Sequence, residues 1–128
     1  VFVAGRKYIR LKNHMTDFHE LTEYPVISLE KNTSTRKYMD ELLWQNQVVL
    51  HPEFELATSD MIVQFALSNL GIGCVVRDFA REYIESGKLF ELRFNKMIPK
   101  RQICVITNQK MPVSFAAKRL LELLLQGK

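Results

Sequence analysis

Pro25-Val26-Ile27-Ser28-Leu29 followed by Asn32-Thr33-Ser34-Thr35, at the head of the stretch Tyr24–Val76, decides how this sequence folds. The first run is short, apolar and β-branched, which predicts a strand closed by a turn. The polar residues after it are good helix N-caps, because a short side-chain oxygen can accept an orphan backbone N–H. Met39, Leu42 and Leu43, with Tyr38 beside them, mark one apolar face at i, i+3, i+4 spacing and predict a helix ending near Gln45 to Gln47. The pattern then repeats. Glu53-Phe54-Glu55-Leu56-Ala57 alternates as a half-buried or edge strand, Thr58-Ser59-Asp60 opens a second helix, and Cys74-Val75-Val76 makes a further strand. Strand, polar turn and helix in repetition is the grammar of an open α/β sheet that binds small ligands beyond its strand ends.

The flanks extend this pattern. The second helix carries Met61, Ile62, Val63, Phe65, Ala66, Leu67 and Leu70, so it is expected buried between layers, with Gly71 as its C′ residue. Val1 to Ala4 predicts a buried strand, Gly5 to Tyr8 a polar turn, and Asp17 to Glu23 a short helix ended by Pro25. Asp78 is expected to cap a third helix that Gly87 ends, and Leu89 to Phe94 alternates as a strand. Asn95 to Arg101 reads as a basic connector and Ile103 to Ile106 as a final strand. Pro112-Val113-Ser114 starts a last helix carrying Phe115, Leu120, Leu121 and Leu124.

A chain of 128 residues with a formal charge of +4 can hold one domain with a real core, or one complete lobe and part of another. No apolar run approaches the roughly 20 residues of a membrane helix. Val1-Phe2-Val3 lacks the basic region and long apolar core of a signal peptide. It opens directly in an apolar run without Met, which predicts a segment of a longer protein. Basic residues are scattered rather than gathered in a stripe, which argues against direct contact with nucleic acid. Cys74 and Cys104, in apolar surroundings, read as two buried thiols of a reducing compartment.

Catalytic chemistry is not expected. Ser34 and Ser59 lack a nucleophile-elbow context, and there is no Walker sequence. Gly71-Ile72-Gly73 follows a helix and lacks the third glycine of a dinucleotide fingerprint. His14 and His19 lack metal-ligand spacing, so neither a metal nor a cofactor is expected. What remains are helix N-termini that follow strands. Their free N–H groups and partial positive charge suit a carboxylate, sulfate or phosphate. A small anionic ligand is therefore expected near Asn32 to Thr35, with plain helix capping as the competing account of those residues.

Taken together, Pro25-Val26-Ile27-Ser28-Leu29-Glu30, Ser34-Thr35-Arg36 with Asp40, Pro52-Glu53-Phe54-Glu55, and Leu70-Gly71-Ile72-Gly73 followed by Val75 resemble the effector-binding domain of LysR-type transcriptional regulators. The resemblance runs over nearly the whole chain, through Gly87-Lys88-Leu89 to the closing helix. It implies an α/β fold similar to type 2 periplasmic binding proteins, here one complete lobe plus a partial second lobe, with an inducer between lobes. Residues 1–20 would be a crossover strand and loop from a truncated first lobe, and 21–94 the second lobe. Residues 95–128 would be a crossover and a C-terminal strand-helix returning to the first lobe. The implied effector contacts are Thr33, Ser34 and Thr35, with Asn32 beside them, and then Cys74 and Val75. Tyr38, Leu42 and Phe54 would lie at the contact with a partner subunit, in a homodimer or tetramer. The resemblance thus implies a cytoplasmic regulator of transcription that senses a small metabolite. It would touch DNA only through an N-terminal helix-turn-helix domain that this sequence does not contain. A stand-alone solute-binding protein serving a transporter is the alternative on the same fold, and it needs an export signal.

Overall fold

The computed structural model describes residues 1–108 and 110–126, and the chain divides into two units, Val1–Ile98 and Pro99–Lys128. The first unit is built on a five-stranded sheet in the order β4-β3-β5-β1-β6. Its strands are β1 (Phe2–Ala4), β3 (Val26–Leu29), β4 (Phe54–Leu56), β5 (Ile72–Cys74) and β6 (Phe90–Glu91). A separate parallel pair joins β2 (Met15–Thr16) to β7 (Arg93–Phe94). β3 runs parallel to both of its neighbours, with Ile27 opposite Phe54 on one side and Gly73 on the other. β1 is antiparallel to β5 and to β6.

Alternation along the strands sends successive side chains to opposite faces and so builds two cores. On one face Phe2, Ile72 and Cys74 meet Met39 and Leu43 of α1 (Ser34–Gln45), together with Phe18 and Leu21 from a 3₁₀ segment at Phe18–Glu23. On the other, Val3, Ile27, Leu29 and Val75 meet Ile62, Val63 and Ala66 of α2 (Ser59–Leu67) and Ala80 of α3 (Arg77–Glu85).

Several expectations need correction. α2 is not sandwiched between layers: Ile62, Val63 and Ala66 are buried, but Met61 is 43% exposed and Gln64 also faces outward. Its left-handed terminal residue is Asn69, at φ 59, rather than Gly71. Asparagine tolerates that conformation because its short polar side chain bonds locally, and here Oδ1 accepts the Lys7 N–H at 2.9 Å. Asp78 does not cap α3. Val76 is the N-cap residue, without a side-chain bond, and Asp78 lies in the first turn paired with Arg81. The segment after Gly5 is a 3₁₀ helix, Arg6–Leu11, instead of an open turn. Leu89 to Phe94 is not one strand either. β6 joins the large sheet and β7 the small one, while Leu92 between them donates its N–H to the Phe2 carbonyl at 2.9 Å.

The small parallel pair is held by Asp17. Its carboxylate accepts the His19 N–H and imidazole Nδ1 at 2.9 Å each and the Asn95 amide at 2.8 Å, while the Asn95 N–H meets the Thr16 carbonyl at 3.1 Å. The His19 backbone donor, then the Asn95 amide, hold the Asp17 carboxyl well below the usual carboxylate range.

In the second unit α4 (Phe115–Gln126) starts where Ser114 Oγ accepts the Ala117 N–H at 3.3 Å. The strand expected at Ile103 to Ile106 does not form, and its residues are exposed. A strand needs a neighbour to take its N–H and C=O groups, and no described residue of this unit supplies one. Cys104 is accordingly exposed, not buried as its apolar neighbours suggested.

Candidate functional site

The sheet reverses its winding at β3 and β5. These adjacent parallel strands hand the chain to opposite faces, β3 into α1 on the Phe2–Met39 side and β5 into α3 on the Ile27–Ala80 side. Connections that diverge in this way leave a crevice at the strands' carboxyl ends, the usual ligand position in open α/β sheets. Asn32 to Thr35 lie at the end of β3, and Cys74 with Val75 at the end of β5. The N-terminus of α2, reached from the parallel strand β4, lies along the same edge of the sheet.

The start of α1 shows how this edge is built. Thr33 is extended, at φ −77 and ψ 145, and its Oγ1 accepts the Arg36 N–H at 3.3 Å while donating to the Glu30 carbonyl at 2.9 Å. Both capacities of that hydroxyl serve the helix cap. Ser34 and Thr35 occupy the first helical turn, Ser34 exposed and Thr35 half-buried, and Asn32 is exposed before them. α3 presents the second helix start of the crevice, and Val76 gives it no side-chain cap.

Cys74 and Val75 differ from the polar knot. Their side chains belong to the two opposite cores, so only their main chain faces the strand end. Val75 exchanges main-chain hydrogen bonds with Val1, donating at 3.0 Å and accepting at 2.9 Å. Burial pushes the Cys74 thiol up to about 11. A buried thiol with so little thiolate reacts slowly. Under native, mildly alkaline conditions iodoacetamide is expected to label exposed Cys104 and to modify Cys74 at least about a hundredfold more slowly. Mass spectrometry of peptides alkylated early would reveal it, and equal labelling would contradict the buried position of Cys74.

Tyr38, Leu42 and Phe54 pack against different cores. Tyr38 and Leu42 are half-buried against the α1 core, whereas Phe54 packs on the opposite core, its ring 5.3 Å from that of Phe65. His14 and His19 are exposed and paired with Glu20 at 2.8 Å and Asp17 at 2.9 Å. No group of metal-ligating residues is present among the described residues, and no described helix is long and apolar enough to cross a membrane.

Arg36 is the residue whose place the sequence did not suggest. Spaced i, i+4 from Asp40, it is the one buried charged side chain among the described residues, 5% exposed. Its Nε donates to both Asp40 carboxylate oxygens at 2.9 Å, and Nη1 donates to the Leu29 carbonyl at 2.9 Å and to Glu55 at 3.0 Å. The signal was present: Arg36, Met39 and Leu43 share the i, i+3, i+7 face that enters the core. Outside Arg36, between α1 and β4, lies an open groove of about 650 Å³ lined in part by Trp44, Val49, His51 and Glu55.

Comparison with known proteins gives the fold a family context. The family described as LysR substrate binding domain matches residues 1–128. Among solved structures, the effector binding domain of QuiR in complex with shikimate superposes with a TM-score of 0.78 at 16% identity, over 98% of this chain and 59% of that one. The CcmR regulatory domain of Synechocystis PCC6803 in complex with 2-PG gives 0.75 at 17% identity, over 98% and 61%. Vibrio fischeri DarR in complex with DNA gives 0.55 at 18% identity, over 75% and 31%. The chain therefore spans about three-fifths of the first two of these structures. Curated protein sequences gave no match.

Proposed function

Because the chain belongs to the LysR substrate binding domain family over residues 1–128 and has that family's type 2 periplasmic-binding-protein-like α/β fold, we propose that it is the effector-sensing, dimerising part of a cytoplasmic transcription regulator. The regulator would bind DNA through another domain, as a homodimer or tetramer, and this part would catalyse nothing. One observation carries the ligand reading. The crevice where β3 and β5 diverge is bordered by the N-termini of α1 and α3, which favour a small anion. Asn32, Thr33, Ser34 and Thr35 are proposed as one wall, with the main chain at Cys74 and Val75 beside it. Tyr38, Leu42 and Phe54 are proposed near the contact with a second copy. In this reading residues 21–94 form the second lobe, 1–20 and 95–101 the crossovers, and the remainder returns to the first lobe.

The relatives' ligands supply the probes. QuiR was solved with shikimate and CcmR with 2-PG, and both fit an anion-seeking site of this kind. Titration calorimetry of this chain against shikimate, 2-PG, sulfate and phosphate is expected to show saturable heat for at least one of them, competed by the others. Heat from none of the four would overturn the anion reading. The solute-binding alternative gains no support from a family whose relative DarR was solved on DNA.

A further inference from the structure

The Arg36 cluster links two places that the fold otherwise keeps apart. On its inner side Arg36 and Asp40 border a void of about 10 Å³ together with Ser28 and Cys74 near the ends of β3 and β5. On its outer side the same two residues, with Glu55, line the groove of about 650 Å³. Leu43, Leu50 and Pro52 also border both spaces, so the two adjoin across a few side chains, and the guanidinium ties that boundary to β4 through Glu55.

The tie closes a ring around the turn that carries the polar knot. Arg36 holds the Leu29 carbonyl at the end of β3, and the next residue, Glu30, donates its N–H to Leu56 of β4 at 3.1 Å. The Glu30 carbonyl accepts from the Thr33 N–H at 3.1 Å and the Thr33 hydroxyl at 2.9 Å, and that hydroxyl in turn receives the Arg36 N–H. The turn at residues 30–33 is thus fastened to β4 twice, through Glu30 and through Arg36–Glu55. A planar guanidinium bonded through two of its nitrogens holds such a geometry more rigidly than a point charge can.

We propose that Arg36 is a positioning residue that locks the strand-end turn to the edge strand β4, so that the shape of the anion site and the shape of the α1–β4 groove change together. Its Nε and Nη1 are engaged with Asp40, Glu55 and the Leu29 carbonyl, so these two nitrogens serve the frame of the site. The proposal deepens the effector reading above and rests on it for what the site holds.

Amide hydrogen exchange on the chain tests the coupling without any ligand. Glu55→Gln, a change in β4, is expected to speed exchange of the amides of residues 30–36 on the order of tenfold, the effect of weakening one charge-assisted hydrogen bond. Arg36→Lys, which keeps the charge and loses the fork, is expected to do the same, while Asp60→Asn in the first turn of α2 should not. Amides of β5 must exchange as in the unaltered chain, which shows that the fold is intact. Thr33→Ala combined with Glu55→Gln then separates coupling from two independent weaknesses. The double variant should depart from the product of the single effects by about threefold or more. Faster exchange confined to residues 53–57, an Arg36→Lys indistinguishable from the parent chain, or purely multiplicative effects would each overturn the proposal. None of those results bears on whether an anion binds, which the calorimetry decides separately.

Discussion

Gly71→Ala is expected to be strongly damaging, costing about 3 kcal/mol or more. A Cβ at this position would stand 2.5 Å from the Pro25 carbonyl oxygen and 3.1 Å from its carbon. That carbonyl accepts the Ile72 N–H at 2.8 Å where β3 and β5 begin to pair. Backbone atoms on both sides cannot rotate away, so relief requires prising apart the two strands that frame the crevice. Gly73→Ala meets a softer obstacle. Its Cβ would press on the Ile62 methyl Cγ2 at 2.8 Å, a side-chain atom that yields by a small shift of α2 rather than by parting two paired strands. Gly87→Ala meets open space and pays only for its φ of +73, about 1 kcal/mol. Thermal melts followed by circular dichroism should rank the three in that order, with the Gly71 variant lowered by roughly 12 °C or more. A Gly71→Ala chain melting within a few degrees of the parent would mean that the β3–β5 approach is looser than the geometry indicates.

The same glycines show how far the local sequence reaches. Caps and periodicity are local, so Thr33 and Thr58 were legible as helix starts and Val26–Leu29 and Phe54–Leu56 as strands. Gly71 reads in the sequence as a helix terminator. What it provides is a close approach of two strands, a relation to Pro25 that lies 46 residues earlier and leaves no local mark. Asn69 takes the left-handed turn instead. The segment Ile103–Ile106 shows the opposite failure. Its β-branched content is a real local preference, yet a strand exists only with a partner, and none of the described residues in its unit pairs with it.

Charge was the hardest property to place. Arg36 and Asp40 are spaced as an ordinary surface pair, and nothing nearby in sequence says that Glu55 and the Leu29 carbonyl would close around the guanidinium. Burying it was possible only because those acceptors were in reach, since an unpaired buried cation is strongly unfavourable. For the proposed ligand site the sequence marked both strand ends. It could not show that Cys74 and Val75 turn their side chains into opposite cores, because that depends on which helix covers which face.

Ser34→Ala with Thr35→Ala should abolish the effector response of the regulator proposed to carry this domain, while leaving its DNA binding intact. Removing two hydroxyls from an anion's wall should weaken its binding on the order of a hundredfold. Thr33→Ala is the necessary companion. The Thr33 hydroxyl already serves both the Arg36 N–H and the Glu30 carbonyl, so its loss is expected to cost about 1 kcal/mol of stability through the cap. The two variants therefore separate the competing accounts of the polar knot. If the knot binds an anion, the folded double variant loses its response, whereas Thr33→Ala melts lower and still responds at saturating effector. If the knot only caps a helix, the double variant responds normally at every effector concentration. A promoter-reporter assay across an effector series, read beside melting curves of the purified proteins, distinguishes these outcomes. The expected hundredfold shift is too large to be mistaken for the modest loss of a cap.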